Sequence, residues 1–441
     1  MKKIVSFTFF FLLLVSTSFA ELPSELMHAF RAEKYQYAGQ LIVASHPAIS
    51  FHELQEFAEK INSKPLLRAC QATKATFQMA TSLGIEKPRL IQLCLFIETE
   101  LPKYIAAGRT FLRNSETGLA CTIEFDKATK HTFLHFEPTH SSYIGEGRFK
   151  RVTKSILYDR ICPEIVANCR TSFDDKKEMK MIQSLQGCHG IVEARALITH
   201  RKKETKEEAL EIILKHYNAS SIREACVNKT VALTSLEKMK IAYDALRGLE
   251  ELHSRKIIHR DLHSGNFLVN IEGTGRKREV RAAICDFSSS RKISRCHGRT
   301  PQLVGHYYSP EAIGANKFHV KNYFSTDIYA TGCVLYRMIY GKQPEWFDQP
   351  YLKKNPRTLS PIMKRYASHQ LTQSINSYTQ TRHLLLLQKI RKKQASLTER
   401  FENLVLRMVN PDPKERSSAK ELRQEIQMIY EAASKRMKAK G

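Results

Sequence analysis

The architecture of this chain turns on His259-Arg260-Asp261-Leu262-His263-Ser264-Gly265-Asn266, a charged and polar loop that runs into the apolar Phe267-Leu268-Val269. His259, Arg260, Asp261, Leu262 and Asn266 satisfy every fixed position of H-R-D-L-x-x-x-N, a match that chance rarely assembles. Downstream, Gly273 to Gly275 mark a hairpin, and Ile284-Cys285-Asp286-Phe287-Ser288 brings a second carboxylate. Ser309-Pro310-Glu311, Asp327-Ile328-Tyr329-Ala330-Thr331-Gly332 and Asn410-Pro411-Asp412-Pro413-Lys414-Glu415-Arg416 follow in turn. Upstream, Leu119 to Phe125 and His131 to Phe136 alternate apolar and polar residues around Asp126-Lys127-Ala128-Thr129, which predicts a hairpin. Short strands continue to about Leu214, and helical patterns dominate from there on. Strands first and helices after is the signature of an α+β arrangement or of two lobes.

Composition sets looser bounds. The 441 residues allow two or three domains, and an apolar fraction of 42% can bury a core. The formal charge of +26 favours an anionic or acidic partner. Lys and Arg are spread along the chain as on a solvated surface. No aromatic-interleaved basic motif appears, so no nucleic-acid partner is expected. Lys2 and Lys3, the apolar Ile4 to Val15 and the small-x-small Ser18-Phe19-Ala20 predict a cleaved signal peptide over residues 1–20. That run falls short of the ~20 apolar residues a membrane span needs, and no later segment supplies them. Ten cysteines are too few for a disulfide scaffold, and none has the C-x-x-C spacing of a zinc site; Cys285 and Cys333 lie in apolar stretches and read as core thiols.

Apolar residues recur at three- and four-residue spacing from Glu21 to about Arg113, punctuated by Pro47, Pro65, Pro88 and Pro102, the last near the end of a helix. Residues 21–117 are therefore expected to form a small helical domain, with a regulatory or docking partner. Residues 118–137 form the hairpin, residues 138–432 carry the motifs, and residues 433–441 form a basic tail.

Across residues 138–432 the chain resembles the eukaryotic-type protein kinases. The resemblance implies a bilobal fold with a small β-rich N-lobe and a larger helical C-lobe, and it implies ATP and Mg²⁺ as cofactors. Asp261 would accept the substrate hydroxyl proton, and Asn266 and Asp286 would hold the metal. Arg260 could receive a phosphorylated activation-segment residue, from among Ser289, Ser290, Ser294 and Thr300. Ser309-Pro310-Glu311 stands for A-P-E, with a buried Glu311–Arg416 ion pair expected, and Asp327 to Gly332 looks like the start of the central C-lobe helix. Ile144-Gly145-Glu146-Gly147-Arg148-Phe149-Lys150-Arg151-Val152 occupies the place of the glycine-rich loop. Gly145 and Gly147 would let the backbone approach the phosphates. Val152 and Ala167 would sandwich adenine, and Lys215-His216-Tyr217 would be the hinge, with Lys215 and Tyr217 offering backbone groups.

Two departures matter. Ser288 replaces the glycine of D-F-G and resists positive φ. Cys169 falls where V-A-I-K has its lysine, and Arg170, one residue out of phase, should face the other way. Lysine at the third glycine with cysteine at the usual lysine resembles the WNK ("with no lysine") kinases, which assigns Lys150 to the α/β-phosphates and Glu178 as its partner. The expected activity is protein phosphorylation, of serine or threonine over tyrosine, by an exported and secreted chain, with delivery into a host cell as one reading. A weakly catalytic scaffold is one alternative. A small-molecule kinase of the aminoglycoside or choline type is the other, since Asp261-Leu262-His263-Ser264-Gly265-Asn266 also resembles its H-x-D-L-H-x-G-N loop.

Overall fold

The computed structural model describes residues 79, 83–85, 93, 96–97, 100–119, 121–136, 142–146, 150–158, 163–171, 176–201, 208–228, 230–296, 307–314, 323–348 and 359–440. The expected signal peptide, most of the helical segment before residue 100, Gly147 and Thr300 lie outside the described residues. The chain divides into two units: Met1–Asp174 with Arg195–Lys215, and Asp175–Ala194 with His216–Gly441. No helix among the described residues is long and apolar enough to cross a membrane.

The first unit is built on one sheet. Its strands are β1 (Phe111–Leu112), β2 (Cys121–Asp126), β3 (His131–Phe136), β4 (Tyr143–Glu146), β5 (Lys150–Tyr158), β6 (Glu164–Thr171), β7 (Ala194–Arg201) and β8 (Glu208–Lys215). They run in the order β1-β2-β3-β5-β6-β8-β7, with β4 on β5. The predicted hairpin is β2–β3. Asp126 accepts the amides of Ala128 and Thr129 at 3.2 and 3.0 Å, an Asx turn that reverses the chain, and Lys130 takes φ +63°. Pairing of His135 with Ser155 adds this hairpin to β5.

Side chains alternate between the two faces of the sheet. One face carries Ile123, Leu134 and Ile156, which form a core with Leu83, Leu93, Ile97 and Leu101 of the helical segment. The short helix Leu101–Ala106 has Pro102 in its first turn, where the missing N–H costs nothing. Pro102 therefore opens a helix rather than marking the end of one. The opposite face carries Phe133, Leu157, Val166 and Ile213. That face also buries a polar network the alternation had not suggested. His135 Nε2 meets Glu124 at 3.2 Å, and Asn168 Nδ2 meets His135 Nδ1 at 3.0 Å and donates to Glu211 at 2.8 Å.

The second unit is mainly helical. Helix α1 (Lys176–Ser184) precedes α2 (Ser235–Ser254), which opens with a Thr234–Glu237 capping box. Strands Phe267–Glu272 and Glu279–Ile284 form the expected hairpin, with Gly273 at φ +70° closing its turn. Helix α3 (Tyr323–Tyr340) is mostly apolar and buried along most of its length, with Asp327 and Arg337 among its buried residues. Arg416 donates to both carboxylate oxygens of Glu311, at 2.7 and 3.0 Å, and its side chain is fully buried. The expected ion pair is present. The 31-residue helix Pro361–Arg391 follows, capped by Ser360.

Candidate active site

In the second unit the loop from His259 to Asn266 is held from below by one carboxylate. Asp327 Oδ2 accepts the His259 amide at 2.8 Å and Oδ1 accepts the Arg260 amide at 3.0 Å. His253 Nε2 sits 3.2 Å from Oδ2. Asp327 is 1% exposed, so these bonds compensate an otherwise costly buried charge. They also stabilise Arg260 at φ +71°, a left-handed backbone that a non-glycine residue adopts at a cost of about 1–3 kcal/mol. The His259 ring packs 5.3 Å from that of Phe287 and bonds the Cys285 carbonyl at 3.0 Å. The two segments that carry the acidic residues are thereby fastened together.

Asp261 is set apart by its electrostatics. Burial, and then the like charge of Asp286, push its carboxyl up to about 7, with Arg260 opposing. Its buried Oδ1 accepts no hydrogen bond among the described residues. A carboxylate poised near neutrality with an unspent acceptor suits a proton acceptor. Asn266 donates through Nδ2 to the Asp261 carbonyl at 2.8 Å, which fixes the rotamer of its amide. The Ser288 hydroxyl donates to Asp286 Oδ1 at 2.8 Å. The amide oxygen of Asn266 and the Asp286 carboxylate are hard oxygen donors of the kind that Mg²⁺ takes, so the residues present fit that ion.

Two expectations need amendment. Ser288 does not have to resist positive φ: Asp286 adopts it instead, at +62°, and serine contributes a hydroxyl to the acidic group. Arg260 Nη1 donates to the Ser289 carbonyl at 3.3 Å. Ser289 and Ser290 are buried, at 9% and 2% exposure, and so are withdrawn from phosphorylation, whereas Ser294 is exposed.

Glu178, on α1, is buried, and its carboxylate accepts the Phe287 amide at 3.2 Å. Lys150 belongs to the first unit, where it is half-buried at the start of β5. The β5–β6 register pairs Val152 with Cys169, Lys150 with Thr171 and Lys154 with Ala167. Lys150, Val152, Ala167 and Cys169 therefore share one face, and Lys150 is the diagonal neighbour of Cys169. Arg170 points to the opposite face and pairs with Glu211 at 2.8 Å, as its phase required. Gly145 pairs with Val152 on β4. Lys215 ends β8 opposite Val166, so its side chain lies on the face away from Ala167, as suits a role carried by its backbone. Tyr217 accepts the Ser220 amide at 3.1 Å.

Reading by motif missed the residues that hold the loop in place. Tyr307 donates to Ser264 Oγ at 3.2 Å and accepts from Arg337 at 3.1 Å. His263 accepts the Gly265 amide through Nδ1 at 3.1 Å. Burial, followed by Arg223 and His259, pulls its imidazole down to about 4, so it is neutral.

Comparison with known proteins agrees with this geometry. The chain is 25% identical over 207 residues to serine/threonine-protein kinase CLA4 of Candida albicans, a match covering 44% of this chain and 20% of that one. It is 24% identical over 281 residues to serine/threonine-protein kinase dst1 of Dictyostelium discoideum, covering 63% and 33%. Against serine/threonine-protein kinase cst-1 of Caenorhabditis briggsae the identity is 23% over 239 residues, covering 53% and 44%. The chain thus spans less than half the length of these relatives. Residues 139–426 match the protein kinase domain family, and the chain belongs to that family.

Proposed function

We propose that this chain is an active protein kinase that transfers the γ-phosphate of ATP to a serine or threonine hydroxyl of a protein. The observation that carries the reading is Asp261, whose buried Oδ1 accepts no hydrogen bond among the described residues and sits on a loop fixed by Asp327, beside the rotamer-locked Asn266. An acceptor hydroxyl hydrogen-bonds to that oxygen and gives up its proton there as its own oxygen attacks the γ-phosphorus, whose bond to the β–γ bridging oxygen breaks to release ADP. Phosphoryl transfer asks little covalent chemistry of the protein, so positioning and charge supply most of the acceleration. Mg²⁺, when bound, offsets negative charge on the β- and γ-phosphates, and Asn266 and Asp286 are the residues that would hold it.

Lys150 is assigned to the α/β-phosphates in place of Cys169, the WNK-like arrangement. The shared face of Lys150, Val152 and Cys169 supports it, and so does the commitment of Arg170 to Glu211 on the other face. The serine/threonine preference rests on the names of the relatives. A scaffold would have no use for Asp261, Asn266 and Asp286 together. A small-molecule kinase of the aminoglycoside or choline type would lack the Glu311–Arg416 pair, which is bidentate here. Export as an effector rests on residues 1–20 and on the need of an ATP-dependent enzyme for an ATP-containing destination. Recovery of the chain, still carrying residues 1–20, from the producing cell's cytoplasm alone would remove it.

The decisive assay is transfer of radiolabelled γ-phosphate to itself or to a generic protein substrate, with and without Asp261→Ala. Transfer abolished by the substitution supports the proposal. Absence of transfer together with no thermal shift by ATP–Mg²⁺ would replace it with the scaffold reading.

A further inference from the structure

Arg223 is an exposed cation fastened to the catalytic loop, and the kinase chemistry leaves it without a task. Its backbone N–H donates to the Ser264 carbonyl at 3.0 Å, which ties its segment to the loop that carries Asp261. It opens a five-residue π-helical turn, Arg223–Val227, a rare form that occurs frequently at functional sites. Its Nη2 would lie 3.6 Å from a Cβ placed on Gly265. The guanidinium therefore covers the one loop position with no side chain. Among the described residues it makes no ion pair with a carboxylate.

The loop itself offers no charge at this spot. His263 is neutral, with Nδ1 accepting the Gly265 amide, and a Cβ on Gly265 would stand 2.9 Å from the His263 ring. Glycine is what lets the His263 ring sit this close, while the guanidinium would stand at ordinary contact distance from a Cβ. Beyond the loop, Lys292 and Arg295 of the activation segment are exposed, in a chain of formal charge +26. A guanidinium is a bidentate receptor for a carboxylate, and among the described residues this one has none of its own.

We infer that Arg223 selects the protein substrate, favouring an acceptor segment that carries Asp or Glu next to the phosphorylated hydroxyl. The inference rests on the kinase reading above and names the substrate class of the same site. Arg223 acts on the acceptor segment, not on the nucleotide. Its loss therefore alters the choice between peptides and leaves the KM for ATP in place. Reversing its charge reverses the preference, because a like charge facing the segment repels it.

The test uses the full chain and three peptides that share one serine and differ only in flanking Glu, Gln or Lys. Wild type is expected to favour the Glu peptide over the Gln peptide by about tenfold in kcat/KM, chiefly through KM, and less so at high salt. Arg223→Gln should collapse that ratio to near one, Arg223→Lys should retain part of it, and Arg223→Glu should favour the Lys peptide. KM for ATP should stay within about twofold throughout. Equal use of all peptides by wild type, an undiminished Glu preference in Arg223→Gln, or a KM for ATP raised about tenfold in that variant would each overturn the inference while the kinase reading stands. No transfer to any peptide and no ATP–Mg²⁺ binding would overturn both.

Discussion

Replacing Glu311 by alanine should cost the second unit about 3 kcal/mol, because it strands the Arg416 guanidinium in a place without water. Arg416 is fully buried, while Glu311 retains 11% of its side-chain surface. The guanidinium donates to both Glu311 oxygens, to the carbonyls of Asn410, Ser325 and Pro411 at 2.7, 3.0 and 3.2 Å, and lies 4.9 Å over the Tyr329 ring. Breaking a buried pair from one side costs ~3–5 kcal/mol. The three carbonyls and the ring remain after the substitution, which places the cost at the lower end. At about 2–4 °C per kcal/mol for a unit of this size, the melting temperature should fall by roughly 6–12 °C. The single tryptophan, Trp346, is fully buried in this unit, so its fluorescence reports the transition in a urea titration. The double variant Glu311→Ala/Arg416→Met removes the stranded charge and should regain about 2 kcal/mol relative to Glu311→Ala alone. A loss below about 1 kcal/mol in the single variant, or a double variant no better than the single, would refute this account of the pair.

Other consequences can be checked as directly. Asp327→Asn puts an NH₂ against one of two backbone donors and should cost ~1–3 kcal/mol by denaturation, with a fall in kcat larger than any rise in KM for ATP. Ser288→Ala removes the hydroxyl that orients Asp286 and should raise the Mg²⁺ concentration for half-maximal transfer about tenfold, while Ser288→Thr largely retains it; equal values would contradict that role. Asp261 must be ionised to accept a proton and its carboxyl is raised to about 7, so kcat/KM should fall as pH drops below neutrality. A cation on Asp286 offsets the like charge that helps raise it, so more Mg²⁺ should move the acid limb to lower pH. A profile flat from about pH 5.5 to 8 at both Mg²⁺ levels would count against Asp261 as the base.

Much of this architecture was legible because kinase motifs are short and rigidly spaced. The loop from His259 to Asn266, the Asp286 segment and the Glu311–Arg416 pair could be read residue by residue, and the phase of Arg170 foretold its partner's face. What escaped had no local signal. His135 stands at a polar position in an alternating strand, and alternation reads such positions as outward; only the added hairpin, paired with β5, buries it beside Glu124 and Asn168. Arg223 lies in a polar stretch whose five-residue π turn leaves no periodic trace. The Ser288 hydroxyl was read as a backbone problem because the strain it avoids falls on Asp286 instead. The clamp by Asp327 joins residues 68 apart in sequence, a distance at which no pattern in either segment names its partner.

The measurement closest to the centre of the account is γ-phosphate transfer by Lys150→Met, with the rescue variant Lys150→Met/Cys169→Lys beside it. If Lys150 holds the phosphates, the single change should lower kcat by roughly 10²–10³-fold, the scale of losing one preorganised charge on the reacting group. A lysine at Cys169, on the same face of the sheet, should restore much of it. A Lys150→Met chain that transfers phosphate at the wild-type rate would contradict the account.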